Sequence, residues 1–362
     1  MNIHKSTTQY EEWLGKFTPL IESDLKLKHQ QMTTGPFPFL RATFYRWMQV
    51  WPDVCHELAT APAALSVGDL HVENFGTWRD REGRLVWGVN DFDAAAHLPY
   101  TNDLVRLATS AYLAIEANQL CVECVAAGDA ILSGYRAGLK AGGKPFVLAE
   151  EHAWLRGIAA GILKDPVTYW QKLNGLAEIK TGVPETARNA VEHVLPVMGM
   201  PYVVKHRVAG LGNLGLPRYV ALADWQGGKL AREAKALVPS PAIGMAWSQR
   251  ATDTPEIFYQ TILDRAVRAV DPYVQLQGHW IVRRLAPDCA RIELASLPEE
   301  RAETQLLHAM GWETANIHLG TRGAAKEILR DLQKRKGKWL DTAAQAMVRA
   351  TTADWEAWRR QK

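Results

Sequence analysis

The chain has few of the features that classify a sequence quickly. Only four cysteines occur in 362 residues, Cys55, Cys121, Cys124 and Cys289. Cys121 and Cys124 form a C-x-x-C inside an apolar helical run, but no second such pair or histidine pair completes a zinc site, so buried, reduced thiols are expected. No apolar run reaches the length of a membrane span, and the polar start MNIHKSTTQYEEW is no signal peptide, which points to a soluble cytoplasmic protein without a membrane partner. Neither sign of charge dominates: the net charge of +3 gives no argument for a nucleic-acid partner. Internal repeats and low-complexity tracts are absent.

What remains is an ordinary globular composition, 47% apolar and 22% charged, with length for two domains or one large two-lobed fold. The fourteen tryptophans are scattered from Trp13 to Trp358 and read as packing residues. Residues 6–34 predict one or two amphipathic helices, and FLRATFYRWMQVW predicts a further helix packing through Phe39, Phe44, Trp47 and Trp51. The runs ALSV and GRLVWGVNDF predict strands around a polar loop, and a long periodic helical stretch follows from about 101 to 200. From about 201 the pattern alternates, predicting an antiparallel meander with a hairpin at Trp225–Lys229. A helix over roughly 254–270 and two short strands turning at Gly278 come next. Helices return from about 297, where the basic run KEILRDLQKRKGKWL reads as a solvated face. The expected class is α+β, divided as an arm (1–66), a catalytic helical lobe (67–200), a β-rich lobe (201–290) and closing helices (291–362).

The chemistry concentrates in VGDLHVENFG, residues 67–76, and NDFDAA, residues 90–95. Transfer of a phosphoryl group from ATP needs a carboxylate at the acceptor hydroxyl and oxygen ligands for magnesium on the phosphates. A D-x-x-x-x-N loop, a hairpin and a further aspartate supply these in order. Asp69 is then the base, Asn74 and Asp91 are metal ligands, and Asp93 is an auxiliary ligand or a group that supports the ligands without touching the metal. His71 is expected to brace the loop through a backbone carbonyl. Turn-forming Asp and Asn residues would explain one such cluster, but less easily three in register.

The other half of such a site is a phosphate cradle. GLGNLG, with Gly210, Gly212, Asn213 and Gly215, is followed by Pro217 and a strand-like run rather than by a helix. A Gly-rich turn between antiparallel strands is therefore expected, not a dinucleotide fold. Lys235 on the following strand, or Arg232 on its opposite face, would take the phosphates, with Glu256 or Asp264 pairing the lysine. Arg41 and Arg46, five apart, are placed to steer an anion or to pair with surface carboxylates.

The segments GDLHVENFG, NDFDAA and NDLVRLA together resemble the catalytic segment of aminoglycoside- and choline-kinase-type phosphotransferases. In that resemblance Asp103 is the structural aspartate tying the next helix to the catalytic loop. HWIVRRLAPD resembles the strand entering a kinase hinge, where backbone groups of Arg284, Leu285 and Ala286 would meet adenine. LLHAMGWETANIHLGT resembles the helix leading into a catalytic loop. Since the catalytic loop comes first here, the resemblance implies a circularly permuted, two-lobed protein-kinase-like fold binding ATP and Mg2+. With PFPFLRATFYR, GLGNLGLPRY, REAKALVPS and WIVRRLAP, the chain is identified as similar to the bacterial domain-of-unknown-function 2252 family. That family commonly shows K-E-A where this chain has Arg232-Glu233-Ala234, and it supplies no acceptor. Transfer of AMP, a nucleotide-holding pseudokinase and a metallophosphoesterase remain as other readings. The last lacks the later histidine ligands it needs.

Overall fold

The computed structural model describes residues 1–148, 151–162, 165–244, 256–289 and 300–360. The helices are α1 (Ile3–Leu14), α2 (Glu22–Met32), α3 (Pro36–Ala42), α4 (Phe44–Val54), α5 (His56–Ala59), α6 (Tyr100–Glu116), α7 (Cys124–Ala141), α8 (Ala153–Ile162), α9 (Pro166–Asn174), α10 (Glu185–Glu192), α11 (Pro241–Gly244), α12 (Tyr259–Arg265), α13 (Glu300–His318), α14 (Ala324–Lys334) and α15 (Trp339–Arg360). The strands are β1 (Ala63–Ser66), β2 (Phe75–Arg79), β3 (Leu85–Val89), β4 (Ala96–Pro99), β5 (Phe146–Val147), β6 (Val203–His206), β7 (Arg218–Trp225), β8 (Gly228–Ala236), β9 (Gln275–Gln277) and β10 (Trp280–Leu285).

The mixed α+β class expected from the sequence holds. The stretch expected as one or two amphipathic helices forms two, α1 and α2, the first capped by the Asn2 side chain accepting from Lys5 N at 2.9 Å. The run FLRATFYRWMQVW is two helices rather than one. Thr43, with its hydroxyl donating to Phe39 O at 2.7 Å, ends α3 before α4 begins. The Ala/Leu-rich stretch after residue 100 is likewise broken, between α6 and α7. Its C-x-x-C lies at that break, with Cys121 exposed and Cys124 half-buried, so the expectation of buried thiols is corrected.

α6 is buried along Tyr100–Ala114, which explains its lack of a polar face. α7 and α13 cross closely enough that only glycine fits: a Cβ on Gly134 would lie 1.8 Å from His308 O, and one on Gly311 2.0 Å from Ile131 O. α13 is also pinned to β3. The buried Glu313 carboxyl accepts from Val89 N at 3.3 Å and from Asn316 Nδ2 at 2.8 Å. Burial pushes that carboxyl up to about 7.

β1 pairs antiparallel with β4, and β2 forms a hairpin with β3 that β5 extends. The meander and its hairpin are as expected: Trp225 faces Gly228 across a turn in which Gln226 and Gly227 have positive φ. The five-stranded sheet is antiparallel in the order β6-β7-β8-β10-β9, with α12 between β8 and β9. Among the described residues no helix is long and apolar enough to cross a membrane.

Candidate functional site

The loop after β1 is held as a fixed frame. Asp103, in the first turn of α6, accepts from Val67 N at 2.8 Å and Gly68 N at 3.0 Å, the tie implied by the resemblance. Gly68 has φ +80, and a Cβ there would meet Ala94 O at 2.4 Å, so the turn requires glycine. His71 braces the loop by accepting from Glu73 N at 3.2 Å through Nδ1. Asn74 donates Nδ2 to Asp69 O at 2.6 Å, so Oδ1 is the end of its amide left for a cation.

Asp69 faces a residue that sequence reasoning missed. Arg106, fully buried on α6, donates Nε to Asp69 Oδ1 at 2.9 Å and also Nη2 to the same oxygen, while Nη2 reaches Leu40 O at 2.9 Å. Its guanidinium lies over Phe44 and Trp47 at 4.9 Å. Burial raises the Asp69 carboxyl, and Arg106 pulls it down. The available signal was spacing: Arg106 lies three residues after Asp103, on the same face of the helix.

The β2–β3 hairpin delivers the second cluster. Asn90 N donates to Asn74 O at 3.1 Å, and the segment beyond it separates two cavities. Asp91 and Asp93 line one; Asn90 and Phe92 line the other. Lys235, buried on β8, donates Nζ to Asp91 Oδ1 at 3.1 Å and to the Asp93 oxygens at 2.6 and 2.5 Å. Lys235 is thus the cation that reaches the site. Arg232 points away, stacked on Tyr273 at 4.6 Å with Nε donating to Val194 O at 3.2 Å. The expectation that Glu256 or Asp264 pairs the lysine is also corrected: both are exposed, and Asp264 is held by Gln260 at 2.8 Å. Burial and the Asp91 charge push the Asp93 carboxyl up against the pull of Lys235.

The Gly-rich connection between β6 and β7 closes over this cluster. Asn213 donates Nδ2 to Asp93 Oδ2 at 2.6 Å, and Gly210 lines both cavities. A Cβ on Gly212 would lie 3.0 Å from Arg41 O and 3.4 Å from Asp69 Oδ2, so the loop crosses directly over the candidate base. Gly215 is not at the site. It packs on α2, its carbonyl accepting from Ile21 N at 2.8 Å, and Lys28 Nζ donates to Gly212 O at 3.0 Å. Burial lowers that ammonium to about 8. The arm thereby clasps the loop.

Asp69, Asn74, Asp91 and Asp93 open onto a cavity of about 60 Å³ that Tyr10, Tyr45 and Arg41 wall on the arm side. Arg41 pairs with Glu73 at 2.6 Å and buries Nε without a hydrogen-bond partner, whereas Arg46 is bound to Asp354 elsewhere. Only Arg41 is therefore placed to steer an anion.

The neighbouring cavity, about 200 Å³, was not foreseen as a charged one. Arg207, Arg218 and Arg283 converge on Glu233, which lies two residues before Lys235 and is held well below the usual carboxylate range by them. Arg268 and Arg284 also line it. Of the expected hinge residues, Arg284 and Leu285 face this cavity, while Ala286 is buried and its carbonyl accepts from Cys289 N at 3.0 Å. The legible signal was charge at strand positions that ought to be apolar, in REAK and IVRRL.

Over residues 20–160 the chain is similar to a family described as uncharacterized proteins conserved in bacteria, domain of unknown function 2252. That stretch holds the Asp69–Asn74 loop, the hairpin, Asp91, Asp93, Asp103 and Arg106, and stops short of the five-stranded sheet. No curated protein and no solved structure matches the chain.

Proposed function

We propose that this protein is an ATP- and magnesium-dependent phosphotransferase acting on a hydroxyl, with kinase-like lobes in circularly permuted order. One observation carries the reading: Asp91, Asp93 and the buried Lys235 meet beneath a Gly-rich turn, across a small cavity from Asp69. The order of parts supports the permutation. The catalytic loop and its carboxylates precede the sheet that carries the turn and the lysine, and α13, after that sheet, packs back against α7.

The residues fit magnesium. Asp91, Asp93 and Asn74 line one cavity and offer oxygen donors of the kind magnesium takes; Lys235 holds the two carboxylates here. Bound there, the ion would neutralise phosphate charge as the acceptor attacks. Asp69 accepts the acceptor's proton. Arg106 engages Oδ1 and fixes the carboxylate, leaving Oδ2 on the side of Gly212 and the cavity. The confined cavity behind the arm favours a small acceptor. Which phosphorus atom is attacked depends on how the nucleotide lies, since AMP transfer uses the same groups with the donor reversed.

The test is a thermal-shift titration with ATP, with and without magnesium, on the native chain and on Asp91→Asn. A ligand at a hundred times its Kd adds about 2.7 kcal/mol to apparent stability. A magnesium-dependent rise, lost in Asp91→Asn, supports the site; no rise at millimolar MgATP removes it. In Asp69→Asn the shift should persist, while transfer to any acceptor found should fall about a hundredfold or more. Undiminished transfer would rule Asp69 out as the base.

A further inference from the structure

We propose that the arginine-lined cavity beside the carboxylates holds the triphosphate tail of the nucleotide, so that the donor lies tail-first and AMP is the group transferred. This rests on the nucleotide reading above and settles the orientation it left open.

The cavity is built for oligophosphate. Arg268 buries Nε and Nη1, and Arg284 buries Nε, without hydrogen-bond partners. Buried guanidinium N–H groups left unmet are costly, and a phosphate chain supplies the acceptors they lack. The rest of the lining agrees. Five arginines line it: Arg207, Arg218 and Arg283 share the carboxylate of Glu233, Arg284 lies 3.5 Å from Asp288, and Asp271 also lines the cavity, which still leaves positive charge in surplus. Arg268 is fixed in place, sandwiched against Trp78 and Phe92 at 4.8 and 4.9 Å with Nη2 donating to Val89 O at 3.1 Å. Its unmet atoms therefore sit on a rigid group.

The two cavities share Gly210 on either side of residues 90–93, and we place one extended ligand across both, from the arginines past Asp91. With the β- and γ-phosphates among the arginines, the α-phosphorus is the atom presented to Asp69. The acceptor oxygen then bonds to that phosphorus, and the bond from phosphorus to the bridging oxygen of the β-phosphate breaks. Pyrophosphate leaves with the electron pair, and the acceptor's proton passes to Asp69.

The experiment measures binding of inorganic tripolyphosphate, AMP and MgATP by calorimetry to the native chain, Arg268→Gln, Arg284→Gln and Lys235→Met. Each variant is first checked for a native-like melting profile. Arg284, stacked on Tyr273 at 5.2 Å, tests the same claim should Arg268→Gln not fold. Both arginine variants should weaken tripolyphosphate and MgATP at least tenfold and leave AMP unchanged, and Lys235→Met should retain tripolyphosphate. The proposal is overturned if tripolyphosphate fails to bind at millimolar concentration, if it binds the arginine variants as tightly as the native chain, or if Lys235→Met alone abolishes it. Arginine-dependent tripolyphosphate binding without any ATP binding would keep the anion site and overturn the nucleotide reading instead.

Discussion

Asp69 and Arg106 show what single residues do here. Arg106 has no exposed surface and hands two donors to one oxygen of Asp69, whose carboxylate keeps about a fifth of its surface open at the cavity. Arg106→Met leaves the Asp69 carboxylate unpaired but still open to the cavity, and we expect a loss of about 3 kcal/mol or less in urea unfolding, below that of a pair buried on both sides. Asp69→Asn in that background should restore part of it, because an amide tolerates the apolar wall better than an unpaired charge; no restoration would mean that Arg106 acts by packing alone. At this scale much of the site was legible. Asp69, Asn74, Asp91, Asp93 and Lys235 stand out because a polar side chain among apolar neighbours costs free energy unless something holds it. Arg106 was hidden by the opposite logic: an arginine in a helix ordinarily marks a wet face. The partner of Lys235 was misplaced because pairing across 144 residues leaves no trace in local spacing.

Among the elements, the pair α7 and α13 depends on missing side chains. Gly134 and Gly311 let each backbone touch the other, and a Cβ on Gly138 would lie 2.9 Å from Ala315 Cβ. Gly134→Ala and Gly311→Ala gain helix propensity of about 1 kcal/mol. They should nonetheless lower the urea midpoint markedly, because overpacking costs about 1–3 kcal/mol or more and the clash is with backbone that cannot rotate away. A midpoint equal to the native one would mean that the helices separate freely. The five-stranded sheet was readable element by element, since alternation and turn glycines are local signals. β2 and β4 were not. FGTWR is almost wholly buried and AHLP is only four residues long, so neither shows a period to read.

At the scale of the whole molecule, long-range ties decide stability, and one of them titrates. Glu313 joins α13 to β3, and its carboxyl keeps its proton up to about 7 in the folded chain against 4.5 ordinarily. Its contribution is complete below pH 4.5 and is lost as pH rises through 7, up to about 3 kcal/mol. Glu313→Gln, neutral at every pH, should therefore lose less stability than the native chain between pH 5 and pH 8 by urea unfolding. Equal losses would place the proton elsewhere. None of this was visible in the sequence, where Glu313 is one acid in a long helix. The α+β class was visible, as was the sequence of loop, carboxylates, glycine turn and lysine. Strand pairing such as β1 with β4 is a tertiary outcome that composition does not encode.

α15 lies against the arm: His4 stacks on Trp358 at 4.7 Å, its Nε2 lies 3.2 Å from Ala357 O, and Asp354 holds Arg46. On the ribosome this makes the order of synthesis matter. His4 and Arg46 are made more than 300 residues before the α15 residues they pack against. Until then the nascent chain carries Arg46, Phe39 and the neighbouring apolar faces without their cover. The arm that clasps the glycine turn thus waits for α15 to complete part of its packing, and a chain interrupted before α15 would be left with that turn less firmly clasped.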